Sequence, residues 1–383
     1  MPKVAVVKCE AYEPEKVYRA VARAVELAGG LEDVVKAGDT VLLKVNLLSA
    51  LPPERAVTTH PLVIGAVARL FRDTGASVWV GDAATTGGLR GEFSETDPFG
   101  VCGIRETAER EKAKIVNFNR TGYQKVKVPR PKRLREINLA RPVAEADKVV
   151  SLPKLKTHEL TLLTGAVKNF FGCVPHSDRS TAHSFAKPEQ FAQAVVDIYS
   201  VCRPSFAVMD AVIAMDKEGP SGGRPFSLGL ILASHDCVSL DIVASQITGF
   251  DPTDILTSVD AMERGLGPAS VEEIEVVGEE LKDVIRRDFQ KPSTYTGAAY
   301  RGLRRLLTPI GLKFLQSYPR IEISRCHRCG LCAEKCPTGA ITINRYPGID
   351  YRKCIQCFTC YEFCPAGAVR VRRSWLAEQL RRK

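Results

Sequence analysis

Long apolar runs are absent from this chain of 383 residues. No segment approaches the ~20 consecutive apolar residues that a membrane-spanning helix needs, so no transmembrane segment is expected. The first residues, MPKVAVVKCEAYEPEKV, lack the apolar core and cleavage site of a secretion signal, and we therefore expect a cytoplasmic protein. A hydrophobic share of 45% and a charged share of 26% are ordinary for a globular protein, and the length allows two or three domains.

Nucleotide-binding signatures are missing as well. Neither glycine-rich loop of the chain has the G-x₄-G-K-[ST] order of a P-loop, and no G-x-G-x-x-G follows the first apolar segment. A dinucleotide site is therefore not supported.

The cysteines are odd in number and unevenly distributed along the chain. There are 13, of which five are scattered before residue 240 and eight lie within 39 positions near the end. This distribution indicates a reducing compartment and a metal-loaded C-terminal module rather than a disulfide framework. The scattered cysteines are expected to be small buried residues, with the one beside a glycine-rich loop, Cys173, the better site candidate: Cys9, Cys102, Cys173, Cys202 and Cys237.

The cysteine-rich segment contains an internal repeat with an offset of 28 residues. RCHRCGLCAEKCPTGAITI, from Arg325, matches KCIQCFTCYEFCPAGAVRV, from Lys353. Each copy has the spacing C-x₂-C-x₂-C, a fourth cysteine followed by proline, and a β-like tail. This layout, from Arg325 to Arg372, resembles that of bacterial ferredoxins with two [4Fe–4S] clusters.

Thiolates are soft anionic ligands for iron, and in such ferredoxins the fourth ligand of each cluster comes from the other half. Full ligation leaves no iron with an open position, so one-electron transfer is the expected role, with oxygen sensitivity and an anaerobic host. Zinc sites usually present two separated C-x₂-C pairs and fit this spacing poorly. The expected ligands are Cys326, Cys329, Cys332 and Cys364 for one cluster, and Cys336, Cys354, Cys357 and Cys360 for the other.

The net charge of +10 is concentrated near the C-terminus. From Arg301 onward, 17 Lys and Arg face 5 Asp and Glu, whereas the first 300 residues carry 37 basic and 39 acidic residues. A basic patch attracts an acidic protein, an anionic membrane surface or nucleic acid. We rank an acidic redox partner of the ferredoxin or flavodoxin type first and peripheral membrane contact next. We expect no nucleic acid, because the arginines are not interleaved with aromatic residues.

Strand-length apolar segments alternate with amphipathic segments over the first ~285 residues. This alternation predicts βαβ units and a mainly parallel sheet. The predicted fold class is α/β: a large, mainly parallel-sheet α/β domain followed by a small α+β two-cluster ferredoxin-like domain. Helices are predicted at Pro14–Ala28, Pro61–Arg72 and Pro188–Cys202, and strands at Val4–Lys8, Thr40–Val45, Ser77–Val80, Lys148–Leu152, Phe206–Met209, Leu228–Ala233 and Ile274–Val277.

The predicted boundaries are 1–285 for the α/β domain, 286–320 for a basic connector and 321–383 for the ferredoxin-like domain. The connector contains RGLRRLLTPIGLKFLQ, which we interpret as a docking helix, with a membrane-surface helix as the alternative. Between Glu92 and Arg141 charges, Pro and Gly dominate, and we interpret the region as an insertion near a site.

Polar side chains follow several of the predicted strands. In an open parallel sheet, ligands bind outside the carboxyl ends of the strands. Lysines, histidines and aspartates that converge there suit an anionic or metal-bound ligand. The residues at these ends are Lys44, Asn46, His60, Asp82, Lys154, Lys156, His158 and Asp210.

Two glycine-containing loops add candidates. The first spans Thr164–Gly172, and two histidines follow it. The second, Asp216–Gly223, is a tight turn whose backbone donors could cradle an anion. For any single residue, a helix cap, a core position or a solvated surface group is the plainer interpretation, and grouping is what favours a site. The candidates from these loops are Lys168, Asn169, His176, His183, Asp216 and Gly222.

The strings LPKLKTHELTLLTGAVKNFFG, MDAVIAMDKEGPSGG and ILASHDCVSLDIVA, with His183, resemble the domain of unknown function DUF362 over roughly Val4–Asp251. Many of its members carry a C-terminal two-cluster ferredoxin. The resemblance implies an α/β fold and names no reaction. The order Gly165, Lys168, Gly172, His183 also loosely resembles the nickel-pincer lactate racemase family, but neither that cofactor nor that activity is carried over.

The leading functional hypothesis is an iron–sulfur oxidoreductase, in which low-potential electrons pass through both clusters to a substrate or cofactor in the large domain. The candidate catalytic residues are Lys154, Lys156, His158, Lys168 and His183. The candidate cofactor-binding residues, for an additional metal or anionic ligand, are Lys44, Asn46, Asp82, Asn169, Asp210, Asp216 and Gly222.

The alternative is a non-catalytic electron carrier or a docking subunit of a redox complex, and delivery of a cluster or metallocofactor is a third, weaker hypothesis. A deep pocket lined by Lys44, Lys154, Lys168 and His183 favours an enzyme. A flat edge with these residues splayed apart favours docking.

Overall fold

The structure, a computed structural model, describes residues 1–83, 97–185, 187–295 and 317–374. In these ranges the strands are β1 Lys3–Lys8, β2 Thr40–Val45, β3 Ser77–Asp82, β4 Lys114–Asn117, β5 Tyr123–Lys127, β6 Glu136–Ala140, β7 Lys148–Leu152, β8 Lys154–His158, β9 Leu162–Thr164, β10 Phe206–Asp216, β11 Arg224–Ser234, β12 Glu275–Gly278, β13 Ser317–Ile321, β14 Ile341–Ile343, β15 Pro347–Ile349 and β16 Val369–Arg373. The α-helices are α1 Pro14–Leu27, α2 Pro61–Asp73, α3 Pro98–Val101, α4 Ile104–Arg110, α5 Phe118–Thr121, α6 Arg141–Glu145, α7 Ala166–Asn169, α8 His176–His183, α9 Pro188–Cys202, α10 Cys237–Ile247, α11 Leu256–Glu263, α12 Leu281–Val284, α13 Leu331–Glu334 and α14 Thr359–Glu362.

Ten of the described strands form one sheet in the order β12-β1-β11-β10-β7-β2-β3-β4, with β8 beside β10 and β9 beside β8. The run β10-β7-β2-β3-β4 is parallel, as are the pairs β1–β12 and β8–β10. The pairs β1–β11, β10–β11 and β8–β9 are antiparallel. The predicted α/β class with a mainly parallel sheet is confirmed.

The antiparallel pair β10–β11 was not predicted. The sequence located both strands but predicted them shorter than they are. A run of buried apolar residues does not indicate whether a strand is parallel or antiparallel to its neighbour. The loop between them, residues 217–223, is too short for a crossover, so the chain must return as a hairpin.

Helices cover both faces of the sheet. The buried stripe of α1, which includes Val17, Val21 and Val25, packs on one face together with α2. On the other face, α9 and α10 contribute to a second core. Residues three and four apart lie on one side of a helix, which is why the periodicity located α1, α2 and α9. The bounds of α9 agree with the prediction, and those of α1 and α2 agree to within one residue.

The region between Glu92 and Arg141, for which no helix or strand was predicted, contains several short helices and strands. The described part, from residue 97, contains α3, α4, β4, α5 and the hairpin β5–β6. Elements of four to seven residues show too few periods to be recognised from sequence.

The cysteine-rich part is small, with the antiparallel pairs β13–β16 and β14–β15 and two one-turn helices, α13 and α14. Backbone conformation follows the 28-residue repeat. Left-handed φ angles occur at Arg328 and Gln356, and at Gly330 and Phe358. The sequence repeat is therefore a structural repeat, and the predicted small α+β domain is confirmed.

The basic amphipathic stretch of the connector, residues 301–316, lies outside the described residues, and the domain boundaries stay predictions. Within the described ranges, no helix has both the length and the apolarity that crossing a membrane requires.

Candidate functional site

The carboxyl ends of β2 and β3 bring Lys44 and Asp82 together. Lys44 Nζ lies 3.0 Å from Asp82 Oδ2, and both side chains are buried. Lys44 Nζ also donates to Asn169 Oδ1 at 3.3 Å, while Asn169 Nδ2 donates to the Lys44 carbonyl oxygen at 2.9 Å. Parallel neighbours end at the same edge, so residues far apart in sequence meet here.

Gly172 permits the close approach of the glycine loop to this pair. A β-carbon at position 172 would collide with Asp82 Oδ1 and lie 3.1 Å from Lys44 Nζ. Since both partners are buried and held in place, no larger residue fits without moving the ion pair.

A cavity of about 60 Å³ lies in front of this edge. Three cationic side chains line it, together with two carboxylates, and α14 of the cysteine-rich part closes one side. The cavity therefore lies where the two parts of the chain meet. Its polar lining residues are Lys44, Asn46, Asp82, Thr164, Lys168, Asn169, His176, Arg179, Ser180, His183, Thr359 and Glu362.

Several polar atoms of this lining have no hydrogen-bond partner in the described part of the chain. They are Asn46 Oδ1, Thr164 Oγ1, Arg179 Nε, His183 Nδ1 and Glu362 Oε1, all buried. Burial also lowers the pKa of Lys168 and of Arg179, and it lowers the pKa of His183 to about 4. Unsatisfied buried polar atoms are costly, and a ligand with complementary groups would satisfy them.

Glu362 of α14 pairs with His158 at the end of β8. His158 Nδ1 accepts from the Leu160 amide at 3.0 Å, so in the neutral ring the proton lies on Nε2, which is 2.9 Å from Glu362 Oε1. Burial lowers the pKa of His158 to about 4. Burial alone would raise the pKa of Glu362, but His158, His183 and Lys168 outweigh it and lower that pKa.

Two of the predicted catalytic lysines lie outside the cavity lining. Lys154 Nζ is 2.8 Å from Asp210 Oδ2 and 2.6 Å from the Tyr12 hydroxyl, with both Lys154 and Asp210 fully buried. Lys156 Nζ donates to the Val57 carbonyl oxygen at 2.6 Å, and burial places its pKa well below the usual value. His60 stacks on Tyr12 and caps α2, which agrees with the plainer interpretation of that histidine.

The second glycine loop meets the cysteine-rich part instead of the cavity. Asp216 is held by Arg224, with Oδ2 to Nη2 at 2.6 Å. A β-carbon at Gly222 would collide with the Tyr361 hydroxyl, which itself donates to the Glu218 carbonyl oxygen. The structure therefore does not bring Asp216 or Gly222 to the other candidates.

The cysteines group as the repeat requires. The side chain of Cys332 lies near those of Cys329, Cys364 and Cys326, and burial together with their charges raises the pKa of its thiol to about 11. The other four, Cys336, Cys354, Cys357 and Cys360, line one common cavity.

Backbone amides at equivalent positions of the two halves donate to sulfur. The Ala340 amide lies 3.2 Å from Cys336 Sγ, and the Ala368 amide lies 3.1 Å from Cys364 Sγ. Such bonds are typical around cluster thiolates, so the residues present fit two four-iron clusters. In the described ranges, no group of three or more His, Cys, Asp or Glu side chains is arranged to hold a single metal ion.

An α/β domain joined to a cysteine-rich repeat defines an iron–sulfur protein, and comparison with known proteins agrees. The profile described as 4Fe-4S binding domain matches residues 319–342. The profile described as domain of unknown function (DUF362) matches residues 41–246, more than half of the chain. The chain belongs to the DUF362 family.

A thylakoid-associated protein of Synechocystis sp. is 31% identical over 271 residues, which are 70% of this chain and 81% of that protein. Two solved structures are more distant. The lactate racemase apoprotein of Thermoanaerobacterium thermosaccharolyticum has a TM-score of 0.39 at 12% identity over 61% of this chain and 54% of that one. A Thermotoga maritima protein has a TM-score of 0.36 at 14% identity, over 57% and 55%. The chain spans about half the length of these solved structures.

Sequence reasoning missed Arg179, Thr359 and Glu362 as lining residues. A signal for Arg179 existed, because it stands four residues before His183 and therefore on the same side of α8. Nothing in the sequence indicated that α14, and not the equivalent helix α13, packs against the large domain.

Proposed function

We propose that this protein is an iron–sulfur oxidoreductase that transfers electrons from an acidic redox partner, through two [4Fe–4S] clusters, to a small anion bound in the cavity. One observation carries the proposal: the cavity lies between the cationic strand ends and α14, which bears the cluster ligand Cys360. A site lined by both parts of the chain is what electron delivery to a bound ligand needs.

The lining supports an anion as the ligand. Lys44, Lys168 and Arg179 supply three positive charges and Asp82 and Glu362 two negative ones, so the lining carries one net positive charge. Asp82 is paired with Lys44, which leaves Lys168 and Arg179 as the cations available to a ligand. A volume of about 60 Å³ is several times the ~10–15 Å³ that one water molecule needs by the same measure, so it leaves room for a small carboxylate or oxoanion. Among the predicted residues, Lys44, Asn46, Asp82, Lys168, Asn169 and His183 line this cavity.

The four-iron clusters, when bound, would supply one-electron transfer at low potential. The residues of the chain do the rest. Arg179 would hold the anion, and Lys44, whose three N–H donors reach Asp82, Asn169 and the Val45 carbonyl oxygen, would contribute positive charge without a direct hydrogen bond. Lys168, whose pKa is lowered by burial, would donate a proton to the reduced product more readily than an exposed lysine. The partner is oxidised by one electron for each electron that the bound anion gains.

The basic C-terminal segment supports an acidic partner of the ferredoxin or flavodoxin type. We place the protein in the cytoplasm of an anaerobic host. The printed name of the Synechocystis relative associates that protein with a membrane. Peripheral contact with an anionic membrane surface is therefore part of this proposal, with the same basic segment as the contact.

The test begins with anaerobic purification and a joint assay of iron, sulfide, other metals and bound small molecules. We expect about eight iron and eight sulfide per chain. A panel of small carboxylates and oxoanions is then screened by thermal shift, with Lys168→Met as the site variant and the exposed Lys36→Met as the matched control.

We expect at least one anion to stabilise the wild type and Lys36→Met, and not Lys168→Met. If no anion stabilises the wild type and Lys168→Met transfers electrons to a partner as fast as the wild type, the electron-carrier hypothesis replaces this one.

A further inference from the structure

The two halves of the cysteine-rich repeat differ at their helices. Helix α13 reads Leu-Cys-Ala-Glu and α14 reads Thr-Cys-Tyr-Glu, at positions 28 residues apart. Thr359 therefore replaces Leu331, and Tyr361 replaces Ala333. The backbone is repeated, but the side chains around each third cysteine are not.

The two halves also differ in what covers them. Thr359, Tyr361 and Glu362 of α14 are buried against the large domain, where Tyr361 bonds to the Glu218 carbonyl oxygen and Glu362 pairs with His158. In the first half the equivalent Glu334 is exposed and forms an ion pair with the neighbouring Lys335 at 2.7 Å.

The cysteine loops show the same contrast. In the first loop Arg325, His327 and Arg328 are exposed. In the second loop Lys353, the equivalent of Arg325, is exposed as well, but Ile355 and Gln356, the equivalents of His327 and Arg328, are only partly exposed. The two loops therefore differ at the residues between their first two cysteines, which are basic or histidine and exposed in the first loop and uncharged and partly covered in the second.

Thr359 lies next to the cysteines of the second cluster and also next to the cavity in front of the strand ends, here called the anion cavity. Its side chain lines the cavity shared by Cys336, Cys354, Cys357 and Cys360, and it also lines the anion cavity. Its hydroxyl donates to Cys357 Sγ at 3.3 Å. Thr359 thus borders both cavities.

We propose that Cys336, Cys354, Cys357 and Cys360 would hold the inner of the two clusters, the one beside the bound anion, and that Cys326, Cys329, Cys332 and Cys364 would hold the outer one, nearer the partner. Each electron lost by the partner at the outer cluster would be gained by the anion at the inner one. Thr359 is a positioning residue for the inner cluster. This inference rests on the proposed function.

The hydroxyl of Thr359 has a definite effect on the inner cluster. Hydrogen bonds to cluster sulfur stabilise the reduced, more negative state and raise the midpoint potential. The first half has Leu331 at this position and lacks the bond. Removing the hydroxyl should therefore lower one potential of the two and leave the other unchanged.

The test is a redox titration of the holoprotein under anaerobic conditions, followed by electron paramagnetic resonance. Thr359→Val removes the donor at nearly constant volume, Thr359→Ser keeps it, and Leu331→Val is the control from the equivalent position. We expect Thr359→Val to lower one midpoint potential, Thr359→Ser to restore it, and Leu331→Val not to move that same potential. Equal shifts of both potentials, or no shift, would overturn the assignment.

The anion is tested separately, by repeating the titration of the wild type with the best-binding anion of the screen, or with sulfate if none binds. A bound anion should lower the same potential that responds to Thr359→Val, because its charge opposes reduction of the nearer cluster. A shift in the other potential overturns the cluster order. No shift with any anion, while Thr359→Val still acts on one potential, leaves the inner cluster assigned and counts against the proposed function.

Discussion

His158 Nε2 and Glu362 Oε1 lie 2.9 Å apart, and this buried contact joins the large domain to the cysteine-rich part. Glu362 stands two residues after Cys360 and lines the cavity in front of the sheet. The contact therefore fixes α14 against the strand ends and helps to close the cavity.

Replacing Glu362 should loosen this junction. Glu362→Ala removes the buried carboxylate that lies 2.9 Å from His158 Nε2, and losing a buried polar contact of this kind costs about 1–3 kcal/mol. Hydrogen exchange around α14 should speed up accordingly. The repeat-equivalent Glu334→Ala, at an exposed position, should change stability by less than about 0.5 kcal/mol. Equal effects of the two variants would show that the contact does not hold the junction.

Stability should fall in mild acid, in part through His183. Its pKa in the folded chain, about 4, lies below the usual 6.5, so its contribution is complete above pH 6.5 and is lost as the pH falls toward 4. From about pH 7.5 to 5.5 the wild type should lose roughly 1.4 kcal/mol more than His183→Asn. Anaerobic denaturant unfolding at both pH values measures this, with the exposed His327→Asn as control. Parallel pH profiles of wild type and His183→Asn would contradict it.

Lys154 and Lys168 should respond differently to the same substitution. Lys154→Met removes one partner of a fully buried ion pair with Asp210 and should destabilise the fold by about 3–5 kcal/mol. Lys168 is at the cavity, where it contacts the Phe171 ring and favours the ionised form of Glu362, so Lys168→Met should destabilise the fold by clearly less than Lys154→Met and abolish anion binding. Denaturant unfolding and anion titration separate the two. Strong destabilisation by Lys168→Met would make that lysine a structural residue.

A side chain at Gly222 should push the cysteine-rich part away from the large domain. Its β-carbon would occupy the space of the Tyr361 hydroxyl, so Gly222→Ala must break the bond to the Glu218 carbonyl oxygen. Faster proteolysis between the two parts is expected. Gly348→Ala is the control, because nothing lies within 4 Å of its added carbon. If proteolysis of Gly222→Ala is unchanged, the loop of residues 217–223 moves instead and the cysteine-rich part stays in place.

Substituting one cysteine of either ligand set should remove about half of the iron. Cys364→Ala takes a ligand from one set and Cys357→Ala from the other, and each variant should lower iron from about eight to about four per chain. Cys202→Ser changes a buried cysteine of the large domain and should retain all the iron. Zinc in place of iron would refute the cluster assignment.

The local pattern was sufficient for much of this molecule. The cysteine spacing was sufficient to recognise the 28-residue repeat, which the backbone conformation follows at Arg328 and Gln356 and at Gly330 and Phe358. The bounds predicted for β2, β7 and α9 agree with the structure. A strand buried on both faces is a continuous apolar run and a helix buried on one face is apolar every three or four residues, so both patterns are visible in the sequence.

The selection among the polar candidates was a property of the tertiary structure. Lys44, Lys154 and Asp210 were all predicted at strand ends, yet only Lys44 lines the cavity. Lys154 instead begins β8 and Asp210 lies within β10, because both β10 and the chain after β7 continue as strands beyond the predicted ends. The choice of α14 over α13 as the docking helix is likewise invisible in a repeat. It depends on Thr359, Tyr361 and Glu362 finding partners in the large domain, and such contacts exist only once the chain has folded.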